Sequence, residues 1–491
     1  MKEWMMFLII LIPVLGGISI PLVPIKSRKI KNIYIETIVI INSLLVACLI
    51  FNPPEGRFEI VNFIQKLSLS LRMDGMSAVF GGLIAALWPL ATLYAFSYME
   101  HDKRQDNFFL FYTITYGITL GVAFSEDLLT MYFFYELLTL STMPLVLHTM
   151  TREAVLAARK YLYYSLGGAA FAFIGLIFII SYGTTANFHL GGVLDLAKVG
   201  DKADVLLLIY VIAFFGFGVK AAICPFNSWL PQAGVAPTPV TALLHAVAIV
   251  KAGAFAIIRI THYSFGTDFL KGSWAQTVVM TVAIITIFYG SSRAIKETHI
   301  KRRLAYSTVS NLSYILFGAV IMTPMGLAAA LTHMIFHGVM KITAFFCAGS
   351  IMHQSGKNYV YELNGLGRKM PFVFGVLTIS SLGLMGVPGM AGFISKWRLA
   401  YAAVESENLL ALAGVAVLLI SALLTAIYML TMVMRGFFPV KGDEENMSEK
   451  IQDPGWQMKL PLFILALAIV GFGLCSEPVT DFIQTVVEGR I

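Results

Sequence analysis

The chain has 491 residues, of which 58% are hydrophobic and only 13% charged, and its mean hydropathy is +0.78. Such a composition excludes a soluble globular or disordered protein, and apolar runs of bilayer-spanning length recur from end to end. The net charge of +7 does not point to nucleic acid, because the lysines and arginines are dispersed among short loops, where membrane orientation accounts for them.

A length criterion of roughly twenty residues predicts about fourteen membrane spans. They fall at 5–24, 33–51, 73–98, 108–124, 127–149, 158–182, 204–227, 238–262, 275–292, 303–323, 325–352, 371–397, 408–435 and 458–478. The first has no small-residue cleavage site after it and reads as a retained helix. Loops after odd-numbered spans are basic, with Lys26, Arg28, Lys29 and Lys31, then Lys103 and Arg104, then Arg152, Arg159 and Lys160, then Arg293, Lys296, Lys301, Arg302 and Arg303, then Lys357, Arg368 and Lys369. Loops after even-numbered spans lean acidic, as with Glu405, Glu407, Glu477 and Asp481. That asymmetry places the odd loops in the cytoplasm and both termini outside a cell (inner) membrane. Three longer connections, 183–203, 353–370 and 436–457, read as solvated loops, the last carrying Gly442-Asp443-Glu444-Glu445-Asn446.

Two breaks in the helical pattern stand five spans apart. Cys224-Pro225-Phe226-Asn227-Ser228-Trp229-Leu230-Pro231-Gln232 interrupts span 7, and Gly386-Val387-Pro388-Gly389-Met390-Ala391-Gly392-Phe393 interrupts span 12. Each has a lysine nearby, Lys220 and Lys396. Paired broken helices point to inverted repeats with a site at mid-membrane. The predicted fold is therefore an all-α polytopic membrane protein with two five-helix repeats, spans 4–8 and 9–13. As one membrane domain it divides into residues 1–107, a first repeat over 108–262, a second over 275–435, and a last helix in 458–491.

Charges inside the spans carry the chemistry. Glu136 lies about two turns into span 5 with no partner at helical spacing, and Lys220 is the candidate counter-ion. Span 8 carries His245 and Lys251. Span 11 carries His333, His337 and Lys341 four residues apart, a polar stripe covering about 12 Å of depth on an otherwise apolar helix. Histidine and a desolvated lysine can each take up and release a proton, so the stripe reads as a relay, with His333 the member most suited to a structural role. The His-x-x-x-His spacing resembles a zinc motif, but Met334 stands where the general-base glutamate belongs, so no metal is expected. Cys48, Cys224, Cys347 and Cys475 are scattered singly, with no Cys-x-x-Cys pair for a cluster, and no cofactor is expected in this chain.

These residues resemble the antiporter-like subunits of respiratory complex I, of Mrp-type sodium/proton antiporters and of membrane-bound hydrogenases. The strings that carry the resemblance run through most of the chain. They are Asp74-Gly75-Met76-Ser77, Phe134-Tyr135-Glu136, Val219-Lys220 with Pro225-Phe226, Leu244-His245-Ala246 with Val250-Lys251-Ala252-Gly253, Lys301-Arg302-Arg303-Leu304-Ala305-Tyr306-Ser307-Thr308-Val309-Ser310, His333 to Lys341, and Gly386-Val387-Pro388-Gly389 to Lys396. The resemblance implies fourteen helices, broken helices 7 and 12, and proton transfer along buried charges in the membrane plane. By position it implies Glu136 and Lys220 as a gating pair, Lys251 as the central relay and Lys396 as the terminal exchange site. This chain departs from the pattern at His299, where relatives often have an acidic residue, and at Asn311, where they often have histidine or glutamine. A histidine route to the surface through span 10 is therefore not expected. Lys396, where one complex I paralogue has glutamate, sides with the Mrp-like type, and no long lateral helix follows span 14.

The expected function is proton translocation by one subunit of a multisubunit ion-pumping complex. Its partners would be other membrane subunits, including a paralogous antiporter-like or small Mrp-type subunit, and a peripheral redox module, with protons or sodium as the moving ion. Two other readings stay open: a self-sufficient sodium/proton exchanger, and a non-transporting membrane anchor for a peripheral enzyme.

Overall fold

A computed structural model describes residues 2–64, 67–439 and 451–490. The Gly442 to Asn446 stretch lies outside the described residues. The chain begins with α1 (Met5–Leu22) and α2 (Arg28–Phe51), followed by a hairpin of β1 (Phe58–Ile64) and β2 (Leu67–Leu71) that the span count leaves unassigned. Next come α3 (Gly75–Tyr98), α4 (Gln105–Ala123), α5 (Leu128–Val146) and α6 (Arg152–Tyr182). Asp74, Asp127 and Thr151 cap α3, α5 and α6 by accepting from backbone N–H groups two or three residues into each helix, so these starts are set by local chemistry.

Span 7 is broken as expected. It consists of α8 (Ala203–Gly218), reached through the short α7 (Leu196–Val199), then a run of turns, then α9 (Trp229–Ala233). Pro225 lacks the N–H that a continuing helix needs, and Ala222 has a φ of 55° in the left-handed region. Span 8 is also broken, which the sequence does not announce. It runs as α10 (Thr238–Ala246), α11 (Ile249–Ile258) and a π-helical turn over Arg259–Phe265. At the break Val247 and Ala248 both donate to the Leu243 carbonyl. No proline or glycine marks the place.

After the short α12 (Thr267–Leu270) come α13 (Trp274–Lys296), α14 (Ile300–Val320) and the 32-residue α15 (Pro324–Ser355), which is buried along 94% of its most apolar stretch. The short α16 (Leu366–Lys369) leads into span 12, which is split into α17 (Pro371–Met385) and α18 (Ala391–Glu405). Gly386, at a φ of 88°, ends α17 in a Schellman-type turn, with its own N–H and that of Val387 returning to the Leu382 carbonyl. Then follow α19 (Leu409–Phe437), α20 (Trp456–Leu474) and a short amphipathic α21 (Glu477–Val487).

Among the described residues ten helices are long and apolar enough to cross a membrane. Helices occupy the other four expected positions too, but α8, α17 and α18 are cut short by the breaks, and α4 and α14 are more polar. Buried α15 is the axis of the second half. Helices α10, α14, α17, α18 and α20 all pack around it, so its polar stripe faces protein on every side.

Candidate functional site: a line of buried lysines and histidines

Each broken span leaves a lysine at its break. Lys220 lies just past the end of α8, Lys251 in the first turn of α11 and Lys396 near the start of α18. A helix that stops inside the membrane leaves its last carbonyls unsatisfied and its negative dipole end exposed, and an ammonium group can answer both needs. Lys396 does so directly, its Nζ donating to the Leu384 carbonyl at 2.6 Å and the Met385 carbonyl at 3.1 Å, the last two of α17.

The expected pair of Glu136 and Lys220 is present. Lys220 Nζ donates to Glu136 Oε1 at 3.4 Å and to the backbone carbonyl of Tyr135, and it lies 3.4 Å from the centroid of the Tyr135 ring. The Tyr135 hydroxyl in turn donates to the Phe217 carbonyl at 2.9 Å, tying α5 to the end of α8. The pair is asymmetric in depth. Lys220 is 1% exposed and Glu136 is 21% exposed, so the carboxylate sits at the outer wall and the ammonium inside it.

At the centre, Lys251 Nζ lies 2.5 Å from His337 Nδ1. The His337 ring stacks on His333 with centroids 5.6 Å apart, and His333 Nδ1 lies 2.9 Å from Ser395 Oγ, next in sequence to Lys396. Lys251, His337, His333 and Ser395 are thus joined contact by contact across α11, α15 and α18, and all four are fully buried. Gly253, half a turn after Lys251, lets α11 approach the backbone of Lys220 and Ala221 so closely that no Cβ would fit. His245, on the last turn of α10, lies tilted against Phe345 of α15 with ring centroids 4.7 Å apart, and neither of its ring nitrogens has a protein partner among the described residues.

Lys341 stands apart from the other members of its stripe. Its Nζ donates to Ser307 Oγ of α14 at 2.7 Å, where the Tyr428 hydroxyl of α19 also donates at 2.7 Å. The expected single stripe is therefore shared between two sets of partners, one toward α18 and one toward α14 and α19.

Several participants escape a reading of the sequence. Tyr314 of α14 lies with its ring 5.2 Å from His333 and its centroid 5.4 Å from Lys396 Nζ, and its hydroxyl donates to Ser421 at 2.8 Å. Ser421 also contacts Ser291 and Ser310, making a buried hydroxyl cluster. Small hydroxyls in apolar spans look like packing residues, and only the spacing of Ser307, Ser310 and Tyr314 along one face of α14 hints otherwise. Arg259, in the π-helical turn of span 8, makes a two-pronged pair with Asp74 at 2.6 and 2.8 Å and is ringed by Phe188, Phe255 and Tyr263.

The departures noted in the sequence also find places. His299 stands at the N-cap position of α14 outside the span, without a capping hydrogen bond, where burial and then the charges of Lys301 and Arg302 push its pKa down to about 4, and it does not reach the central line. It borders a cavity of about 580 Å³ shared with Glu153, Gln232, Lys301 and Arg302, none of which belongs to the line. Asn311 Nδ2 donates back to the Ser307 carbonyl at 2.8 Å. Among the described residues no group of three His, Cys, Asp or Glu side chains could hold a metal ion.

Residues 125–425 match the family described as NADH:quinone oxidoreductase/Mrp antiporter, TM, and residues 62–109 match the N-terminal segment described for NADH-ubiquinone oxidoreductase (complex I) chain 5. The chain belongs to the NADH:quinone oxidoreductase/Mrp antiporter transmembrane family. The matched segment of that family contains every residue of the line, from Glu136 to Lys396. The chain is 28% identical over 95% of its length to the Na(+)/H(+) antiporter subunit A1 of Staphylococcus haemolyticus, of which it spans only 60%. It is 26% identical over 98% of its length to NAD(P)H-quinone oxidoreductase chain 4 of a Picosynechococcus species, of which it spans 92%. Two solved structures share the fold. One belongs to the membrane-bound sulfane sulfur reductase, an archaeal respiratory membrane complex, with a TM-score of 0.85, 22% identity, and coverage of 99% of this chain and 97% of that one. The other belongs to the Mrp complex of a Dietzia species, with a TM-score of 0.86, 20% identity, and the same coverage. As a member of this family with ten apolar helices among the described residues, the chain is a multi-pass membrane protein.

Proposed function

We propose that this chain moves protons through the membrane as one antiporter-like subunit of a multisubunit complex. The observation that carries the reading is the contact chain from Lys251 through His337 and His333 to Ser395 beside Lys396, which crosses three helices without leaving the buried interior. Each member can accept and release a proton or hold a hydrogen bond between two that can. Glu136 and Lys220 form the gate: when the pair is closed the lysine is held by the carboxylate and the Tyr135 carbonyl, and when it opens the positive charge is free to repel a proton along the line.

In this reading residues 108–262 and 275–435 are two five-helix repeats, flanked by 1–107 and 458–491. Each contributes a broken helix with a lysine at the break. The relatives named above include an Mrp antiporter subunit and a quinone oxidoreductase chain, and the solved neighbours sit in multisubunit membrane complexes. These support other membrane subunits as partners, with a peripheral redox module or Mrp-type subunits as the driving unit in this reading, and the basic odd-numbered loops are the ground for placing both termini on the outer face.

The test is proton movement into inverted vesicles that carry the assembled complex, followed with a pH-sensitive dye. Lys251→Met should abolish movement while complex yield stays unchanged, and normal movement in that variant would overturn the proposal. Expression of the chain alone in a salt-sensitive host separates subunit from exchanger, because only a self-sufficient exchanger would restore growth.

A further inference from the structure

Away from the central line, α2, α3 and α4 bring together a second set of polar groups, four of them buried and two, Glu36 and Ser43, half-buried. They are Glu36, Asn42 and Ser43 on α2, Trp88 on α3, and Tyr112 and Tyr116 on α4. Trp88 stacks on Tyr116 with centroids 4.9 Å apart and lies 5.7 Å from Tyr112, and the Tyr116 hydroxyl is 2.7 Å from Ser43 Oγ. Glu36 lies within electrostatic reach of the Tyr112 hydroxyl, and Asn42 lies beside Tyr116. Seven residues separate Glu36 from Ser43, which puts them on one face of α2 about 10 Å apart along its axis. The set is therefore a column and not a single point. At one end of it Lys31 and Asp106 form a half-exposed pair at 2.8 Å.

The column is poorly satisfied by protein. Glu36 Oε2, both amide atoms of Asn42, Trp88 Nε1 and the Tyr112 hydroxyl are all buried with no hydrogen-bond partner among the described residues. Asn42, Trp88 and Tyr112 are 0% exposed. Buried donors and acceptors left dry are costly and rare, so five of them along one seam call for water. Glu36 takes part in no ion pair among the described residues, since Lys31 is engaged by Asp106, so inside a membrane its carboxyl either keeps its proton or gains a positive counter-charge. The acceptors within the column are carboxyl, amide and phenol oxygens, which suit a small hard cation and not an anion.

We propose that α2, α3 and α4 enclose a hydrated blind channel, opening beside Lys31 and Asp106, in which Glu36 holds a small monovalent cation, hydronium or sodium. Asn42 and Tyr116 close its inner end. The channel shares no residue with the line from Glu136 to Lys396, so its existence is independent of whether that line conducts.

The experiment uses the assembled complex in membrane vesicles and reads binding rather than transport. A lipid-soluble carbodiimide adds to a protonated carboxyl and rearranges to a stable N-acylurea, which mass spectrometry of the digested chain locates. Glu36 should be modified. If sodium is the cation, replacing choline with sodium at constant pH should suppress modification several-fold; if hydronium is, only raising the pH should do so. Modification indifferent to both, or no modification, overturns the proposal. A second measurement places Ser43→Cys in a chain whose four native cysteines are alanine. The introduced thiol should react with a small cationic methanethiosulfonate added on the Lys31 side, and adding Glu36→Gln should slow that reaction about fivefold while leaving a neutral reagent unaffected. An unreactive thiol in a normally assembled complex also overturns the proposal.

Discussion

Lys251 and His337 meet at 2.5 Å, one from the first turn of a helix resuming after a break and the other from the middle of unbroken α15. The ammonium donates to Nδ1 when the imidazole is unprotonated there, and once the lysine has passed its proton on, the same contact can run the other way. A lysine and a histidine this close cannot both be charged at low cost. The contact therefore lets one proton be shared between two groups, which is the arrangement the proposed relay requires.

His337→Ala should reduce proton movement on the order of a hundredfold, the scale lost when a positioned proton-transfer group is removed. His333→Ala should also reduce it, because the contact with Ser395 makes His333 the bridge to α18 and more than a packing residue. Lys341→Ala should have a separate phenotype, since Lys341 bonds Ser307 and not the histidines. Initial rates of vesicle acidification per assembled complex are the measurement, and equal, small effects from all three substitutions would mean that the stripe is packing.

Glu136→Gln tests the gate. Lys220 keeps its bond to the Tyr135 carbonyl and its place over the Tyr135 ring, so the chain should fold and assemble normally. What is lost is the charge of a partly exposed partner, about 1 kcal/mol, which slows gating about fivefold and should do so less at high salt. Full-speed pumping from an assembled Glu136→Gln complex would remove the pair from the mechanism.

Much of the fold was legible because membrane helices announce themselves by length and composition, and the breaks at Pro225 and at Gly386 to Gly389 are written in residues that cannot continue a helix. The break between Ala246 and Ile249 was not legible, because Val247 and Ala248 are ordinary helix residues and nothing in the local sequence ends a helix there. The site followed the same rule. Lysines and histidines in apolar spans are conspicuous, so Lys220, Lys251, His337 and Lys396 could be named. Tyr314, Ser307 and Ser421 could not, since their role depends on which helices lie side by side. The β1–β2 hairpin was missed because its strands are short and one face carries polar side chains.

Asp74 and Arg259 offer a contrast with the gate. Arg259 is as deeply buried as Lys220, but two of its guanidinium nitrogens donate to the Asp74 carboxylate at 2.6 and 2.8 Å, closer than the 3.4 Å of the gate, and that carboxylate also caps α3 through Ser77. Asp74→Asn leaves a permanent positive charge buried among Phe188, Phe255 and Tyr263 and should destabilise the chain by about 2–3 kcal/mol. The expected result is a lower thermal midpoint and reduced complex yield, with transport per remaining complex unchanged. Unaltered stability would show that the pair contributes nothing to the fold.

Lys396 separates a fixed charge from a moving proton. Its Nζ answers the two open carbonyls at the end of α17 and lies near the face of Tyr314, so a positive charge is what the local structure needs at rest. Arginine in its place would keep that charge and its donors, and the chain should assemble. A guanidinium does not give up its proton at any working pH, however, whereas a desolvated ammonium can. If Lys396 only supplies a field, Lys396→Arg should pump nearly as well as the unmodified complex. If it is the exchange site at the end of the line, the arginine variant should fail about as badly as Lys396→Ala while assembling better than it, because the carbonyls of Leu384 and Met385 keep their partner. Measuring pumping and assembly together in the two variants decides between these outcomes, and the expected one is loss of pumping in both with assembly preserved in the arginine variant alone.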